Sequence, residues 1–189
     1  MATSNKPQTI KPVVLQEGSG VKQVSSNDKG YRGNASQFFV AAELCRRGFA
    51  AVVALGNCPN TDILCSNREG TRFVHVQVKT FVPGKPTCTI GLKGERDYGD
   101  RFFWVLGGIP TKPTEPPTEY YVIPSRVMAQ GLAADFIQWR DTPGKFGQQR
   151  NAENQMRNLF LPPKVGSSGF NIADFKNRWD LITTVLQHL

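Results

Sequence analysis

The chain has 189 residues, 39% hydrophobic and 20% charged, with 23 Lys and Arg against 15 Asp and Glu and a formal net charge of +8. This length and balance fit one globular domain that can bury a core, and the positive excess favours polyanionic partners. No apolar stretch approaches the roughly 20 residues of a membrane-spanning helix, and Cys45, Cys58, Cys65 and Cys88 form no CxxC pair, which argues against a zinc ribbon or a disulfide framework.

Residues 1–29 are rich in Lys, Pro, Gln, Ser, Gly and Asn, and only Val13-Val14-Leu15 offers anything to pack. They read as a flexible tail ahead of a single domain over 30–189. Met1–Gln8 lacks the apolar core of a secretory leader, so a cytoplasmic location is expected.

From Asn34 to Arg47, Phe38, Phe39, Ala41, Ala42 and Leu44 recur at helical spacing. Asn34 can cap this helix, and Gly48 ends it behind Arg46 and Arg47. Three strands are expected next: Phe49–Leu55, Asp62–Cys65 and Arg72–Phe81, with turns at Gly56–Asn60 and Ser66–Thr71. Residues 85–101 read as a polar loop with a short strand at Thr87–Ile90. Phe102–Ile109 is a buried strand, Pro110–Pro117 a proline-rich turn and Tyr120–Ile123 a further strand. A helix follows from Ser125 to Trp139, then a loop over Thr142–Gln149. A helical Gln155–Phe160 and an amphipathic helix over Ile172–Leu189 complete the reading. The sum is a mixed sheet of about five strands flanked by helices, α/β or α+β in class.

The third strand carries the chemistry. Successive side chains of a strand alternate between faces, so Val74, Val76 and Val78 form a core face. Phe73, His75, Gln77, Lys79 and Phe81 share the other face, which turns polar toward its end. If the second and third strands are neighbours, Asp62 reaches the spot that Gln77 and Lys79 address. A carboxylate, an amide oxygen and an ammonium meeting there form the layout of a metal-assisted phosphodiester cleavage site; a solvated ion pair is the plainer alternative. His75 on the same face reads as a packed, hydrogen-bonded histidine. No Lys-Ser/Thr follows Gly91-x-x-Gly94 or Gly107-Gly108, and no Gly-x-Ser-x-Gly is present, so neither a P-loop nor a serine-hydrolase elbow is indicated.

The string Gly33-x-x-x-Gln37-x-x-x-x-x-x-Leu44-x-x-x-Gly48, then Asp62, then Gln77-Val78-Lys79, resembles the PD-(D/E)XK nuclease superfamily. It is similar to archaeal-type Holliday junction resolvases and related small restriction-endonuclease-like proteins, over residues 33–81, about a quarter of the chain. The resemblance implies a restriction-endonuclease-like core of αβββαβ type and hydrolysis of DNA. It makes Asp62 the metal-binding aspartate, aided by the Val78 carbonyl, and Lys79 the lysine that orients water. Gln77 stands where a Glu or Asp is usual, and Gln37 stands in place of a helix glutamate. Glu43 could compensate, but six residues from Gln37 it is expected to face solvent or Arg46 and Arg47. Mg²⁺ or Mn²⁺ is the implied cofactor, weakly held without substrate because amides add no charge. DNA is the implied partner, gripped by Lys85, Lys93, Arg96 and Arg101, and a homodimer is plausible because two strands need two centres. The two Gln positions also imply an alternative: an inactive descendant acting as a DNA-binding or protein-interaction module.

Overall fold

Val40, Ala41 and Leu44 lie on one stripe of helix α1, Lys29–Arg46, in a computed structural model that describes residues 29–56, 58–117 and 119–187. The helix begins five residues earlier than Asn34, which is therefore an exposed residue within it and not its cap. Lys29 belongs to this helix; the remainder of the expected tail, residues 1–28, lies outside the described residues. Gly48 stops α1 as expected. At φ 89° its N–H donates to the Cys45 carbonyl at 2.9 Å, a backbone geometry that residues with a Cβ rarely adopt.

The strands are β1 (Ala50–Val53), β2 (Ile63–Ser66), β3 (Phe73–Phe81), β4 (Thr87–Thr89), β5 (Phe102–Gly108), β6 (Glu119–Pro124) and β7 (Asn158–Phe160). Five form one mixed sheet in the order β1-β2-β3-β5-β6. Its pairs are antiparallel except β3 with β5, which run parallel. The crossover that parallel pairing demands holds β4 and a four-residue 3-10 helix, Leu92–Glu95. All seven residues of β5 are buried, as suits a strand covered on both faces.

Helices α1 and α3 (Asp180–Gln187) cover one face. Val40 and Leu44 pack there with Val74, Val76, Val78, Val105, Ile182 and Leu186. Helix α2 (Ser125–Asp141) covers the other, where Met128 and Leu132 meet Trp104, Leu106 and Ile123. The architecture is thus a mixed five-stranded sheet flanked by helices, α+β in class. Among the described residues no helix is long and apolar enough to cross a membrane.

Two expected elements differ. The segment 155–160 is not helical: Asn158–Phe160 is β7, paired antiparallel with β4 so that Leu159 faces Cys88. A single buried side chain between exposed and half-buried neighbours is a strand's pattern, and pairing with β4 settles it. The terminal helix starts at Asp180, not at Ile172. Ahead of it lie a 3-10 turn, Ala173–Phe175, and Asn177 at φ 54°. The Asn177 N–H donates to the Tyr120 carbonyl at 2.8 Å and Lys176 bridges to Tyr121, so the edge of β6 claims the backbone groups a helix would have used.

Candidate functional site

Asp62 sits one residue before β2, where the ladder is irregular. Ile63 is the register partner of Val76, yet the Asp62 N–H also donates to the Val76 carbonyl, at 3.0 Å. Two residues opposing one is the signature of a β-bulge, and bulges re-aim side chains. Here the Asp62 carboxylate turns along the sheet edge: Oδ2 accepts the Val78 N–H at 2.7 Å and the Gln77 side-chain amide. An ionised carboxylate only accepts, so Gln77 must present its NH₂ and turn its oxygen away from Asp62. Asp62 Oδ1 accepts nothing from the described residues.

The backbone groups of alternate β3 residues address β5: the His75 N–H donates to Arg101 O at 2.8 Å and the Phe81 carbonyl accepts from Ile109 at 2.9 Å. Val78 is out of phase with these, so its N–H and C=O both look to the opposite edge, where β2 has ended. An aspartate carboxylate, a backbone carbonyl and the Gln77 side-chain amide therefore share one corner of the sheet.

Lys79, half-buried, occupies the same face as Gln77, with Nζ 5.9 Å from the centre of the Trp104 ring. Trp104 is 2% exposed and its indole N–H has no acceptor among the described residues. Burial lifts the Asp62 carboxyl above the usual aspartate range. The Val78 amide, the Lys79 charge, the Gln77 amide and the Lys93 charge counter this in part.

The other expected residues divide. Gln37 is half-buried on α1, which covers the Val74/Val76/Val78 face, and it hydrogen-bonds to none of Asp62, Gln77 or Lys79. Glu43 is occupied elsewhere: Arg46 holds it with two hydrogen bonds of 3.2 Å, Arg47 adds another, and its carboxyl falls below the usual range, the Arg46 hydrogen bond being the largest cause. His75 shares a 3.0 Å hydrogen bond with Thr61 Oγ1. Lys85, Lys93, Arg96 and Arg101 are all exposed, and none forms a salt bridge with a described residue.

The loop that carries these cations is braced. The Tyr98 N–H donates to Ser125 Oγ at 2.7 Å, Arg126 pairs with Asp97 at 3.1 Å, and Tyr98 stacks on Phe102 with centroids 4.5 Å apart. The Tyr98 hydroxyl reaches Asn60 Oδ1 at 3.4 Å, tying this loop to the turn before Asp62. Tyr98 and Trp104 have no signal of this role in the sequence; Trp104 reads as core, and it is core as well as the floor beneath Lys79.

The oxygen donors at this corner, the Asp62 carboxylate and the Val78 carbonyl, suit a hard divalent cation but bring a single negative charge. Among the described residues no three His, Cys, Asp or Glu side chains gather at one point.

No protein-family model matches the chain, and no curated protein matches it by sequence. Among solved structures, the bacterial homing endonuclease I-Ssp6803I is similar at 19% identity with a TM-score of 0.45, over 82% of this chain and 92% of that one. Hjc, a Holliday junction resolvase of the hyperthermophilic archaeon Archaeoglobus fulgidus, is similar at 14% identity with a TM-score of 0.36, over 68% of this chain and 83% of that one.

Proposed function

We propose that the chain is a divalent-metal-dependent endonuclease that hydrolyses DNA phosphodiester bonds. The observation that carries this reading is the meeting of Asp62, Gln77 and the Val78 backbone at the end of β2, with Lys79 on the adjoining face. Mg²⁺ or Mn²⁺ held by the Asp62 carboxylate and Val78 carbonyl, with Gln77 assisting, would neutralise phosphate charge and acidify a bound water; Gln37, which the resemblance would enlist, lies on the helix over the opposite face. Lys79 orients the attacking water and offsets the charge that grows on the phosphate oxygens. Trp104 beneath it limits where the ammonium can go. Lys85, Lys93, Arg96 and Arg101 hold the phosphates on either side. Cutting both strands of a duplex takes two such centres, which a homodimer would supply.

A second reading has its own support. Asp62 Oδ2 already accepts two hydrogen bonds, and both remaining acidic positions of the superfamily pattern are amides, which favours a silent DNA-binding module. One experiment separates the two: supercoiled plasmid and a branched duplex incubated with Mg²⁺, Mn²⁺ or chelator. The wild type is expected to nick with metal alone, and Lys79→Ala and Asp62→Ala to lose about a hundredfold or more while keeping DNA binding. Cleavage unchanged in both variants removes this mechanism. Binding without cleavage by the wild type establishes the silent module.

A further inference from the structure

Between the C-terminal half of α2 and the β7 segment lies a cavity of about 180 Å³. A cavity of roughly 150 Å³ takes a benzene-sized ring. Phe136 and Trp139, on successive turns of α2, line it, and their rings stack with centroids 5.7 Å apart and planes 26° from parallel. Guanidinium groups extend the stack: Arg157 lies 3.4 Å from the Phe136 centroid and Arg150 4.8 Å from that of Trp139. Aromatic rings and guanidinium planes are the surfaces on which unstacked bases are held.

The polar groups of this cavity are incompletely matched, in both senses. Asp135 is 5% exposed; its Oδ1 accepts from the Ser168 N–H at 2.8 Å and the Ser168 hydroxyl at 2.6 Å, while its buried Oδ2, beside Gly166, has no donor among the described residues. A buried acceptor left unpaired is costly unless something fills it. Arg157 is 6% exposed. Its Nε donates to Glu95 and its Nη1 to the carbonyls of Asn154 and Met156, and Nη2 donates to no described residue. Asn154 and Asn158 each use the side-chain oxygen, toward the Met156 N–H and the Thr89 hydroxyl, so their NH₂ groups remain as donors.

We propose that this cavity binds a nucleobase, and that on DNA it receives one unstacked base beside the strand held at the Asp62 corner. The assignment rests on the endonuclease reading for its DNA and on the cavity's own chemistry for the base. A phosphate would meet the Asp135 carboxylate, and an apolar ligand would leave Asp135 and Arg157 unmatched. A nucleobase offers N–H donors, carbonyl or ring-nitrogen acceptors and a flat face at once. The 3-10 turn Leu92–Glu95 borders the cavity: Glu95 pairs with Arg157, and Lys93 stands exposed two residues earlier.

The test compares a duplex bearing one unpaired guanine with the same duplex carrying an abasic site at that position, in chelator so that nothing is cut. Binding is read by anisotropy and by quenching of Trp139 fluorescence. The wild type is expected to bind the base-bearing duplex at least about tenfold more tightly, as stacking of one base allows. Trp139→Leu and Asp135→Asn, each checked by circular dichroism, should lose that preference and keep the affinity for the abasic duplex. Equal wild-type affinity for the two duplexes overturns the proposal, as does a preference that persists in both folded variants. Millimolar deoxyguanosine that abolishes the preference shows a site open to free nucleosides; a preference it leaves intact shows a base that must arrive on DNA. A preference without nicking in metal sinks the endonuclease reading alone, and nicking without a preference sinks the pocket alone.

Discussion

Asp62 must be ionised to hold a cation, yet burial raises its carboxyl above the usual aspartate value of about 3.9. The native state therefore holds this proton more tightly than the unfolded chain. Stability falls as pH rises from the unfolded value through the raised native one, and the penalty persists at neutral pH. Asp62→Asn removes the charge and keeps an oxygen for the Val78 N–H. It should raise Tm by a few degrees at pH 7 while abolishing cleavage, and the gain should vanish below the unfolded aspartate value. Thermal melts of both proteins across this range check it; a gain independent of pH would refute the burial argument. Alternation along β3 made the shared face of Gln77 and Lys79 legible from the sequence, and the turn-rich 66–71 made Asp62 their neighbour. The bulge was not legible, because it depends on how Asp62 and Ile63 both come to oppose Val76. Nor does helical phase tell which face of the sheet Gln37 will cover.

At the scale of elements, α2 shows how a close approach overrides propensity. Gly131 lies inside the helix, where glycine costs about 1 kcal/mol relative to alanine. The Phe170 ring occupies the space a Cβ would need. Gly131→Ala should therefore destabilise by about 1–3 kcal/mol despite its better propensity. In a Phe170→Ala background the same change should be neutral or stabilising, and denaturant unfolding of the four proteins gives the coupling. An equal cost in both backgrounds would mean that the ring yields freely. The long periodic elements, α1, β3, β5 and α2, were readable because many residues repeat one signal. The 155–160 and 172–179 segments were not, since β7 exists through Cys88 and Leu159, and Lys176 and Asn177 through the edge of β6. Such partners are invisible in a local window.

For the whole molecule, the excess of +8 predicts salt-sensitive association with DNA. If Lys85, Lys93, Arg96 and Arg101 contact phosphates, replacing each with Gln should flatten the slope of log K against log salt by roughly 0.9 per residue on duplex DNA. Anisotropy titrations between about 50 and 200 mM salt measure it; an unchanged slope in the fourfold variant would place the DNA on another surface. All four of these cations lie within the long connection that parallel pairing of β3 with β5 demands. Such a connection can lengthen at small entropic cost without shifting either strand's alignment. On the endonuclease reading, exchange of the exposed cations alone would retune which substrates are gripped, while the buried Cys88, Ile90 and Gly94 of the same connection keep the reacting groups in their places, so recognition and chemistry could evolve apart.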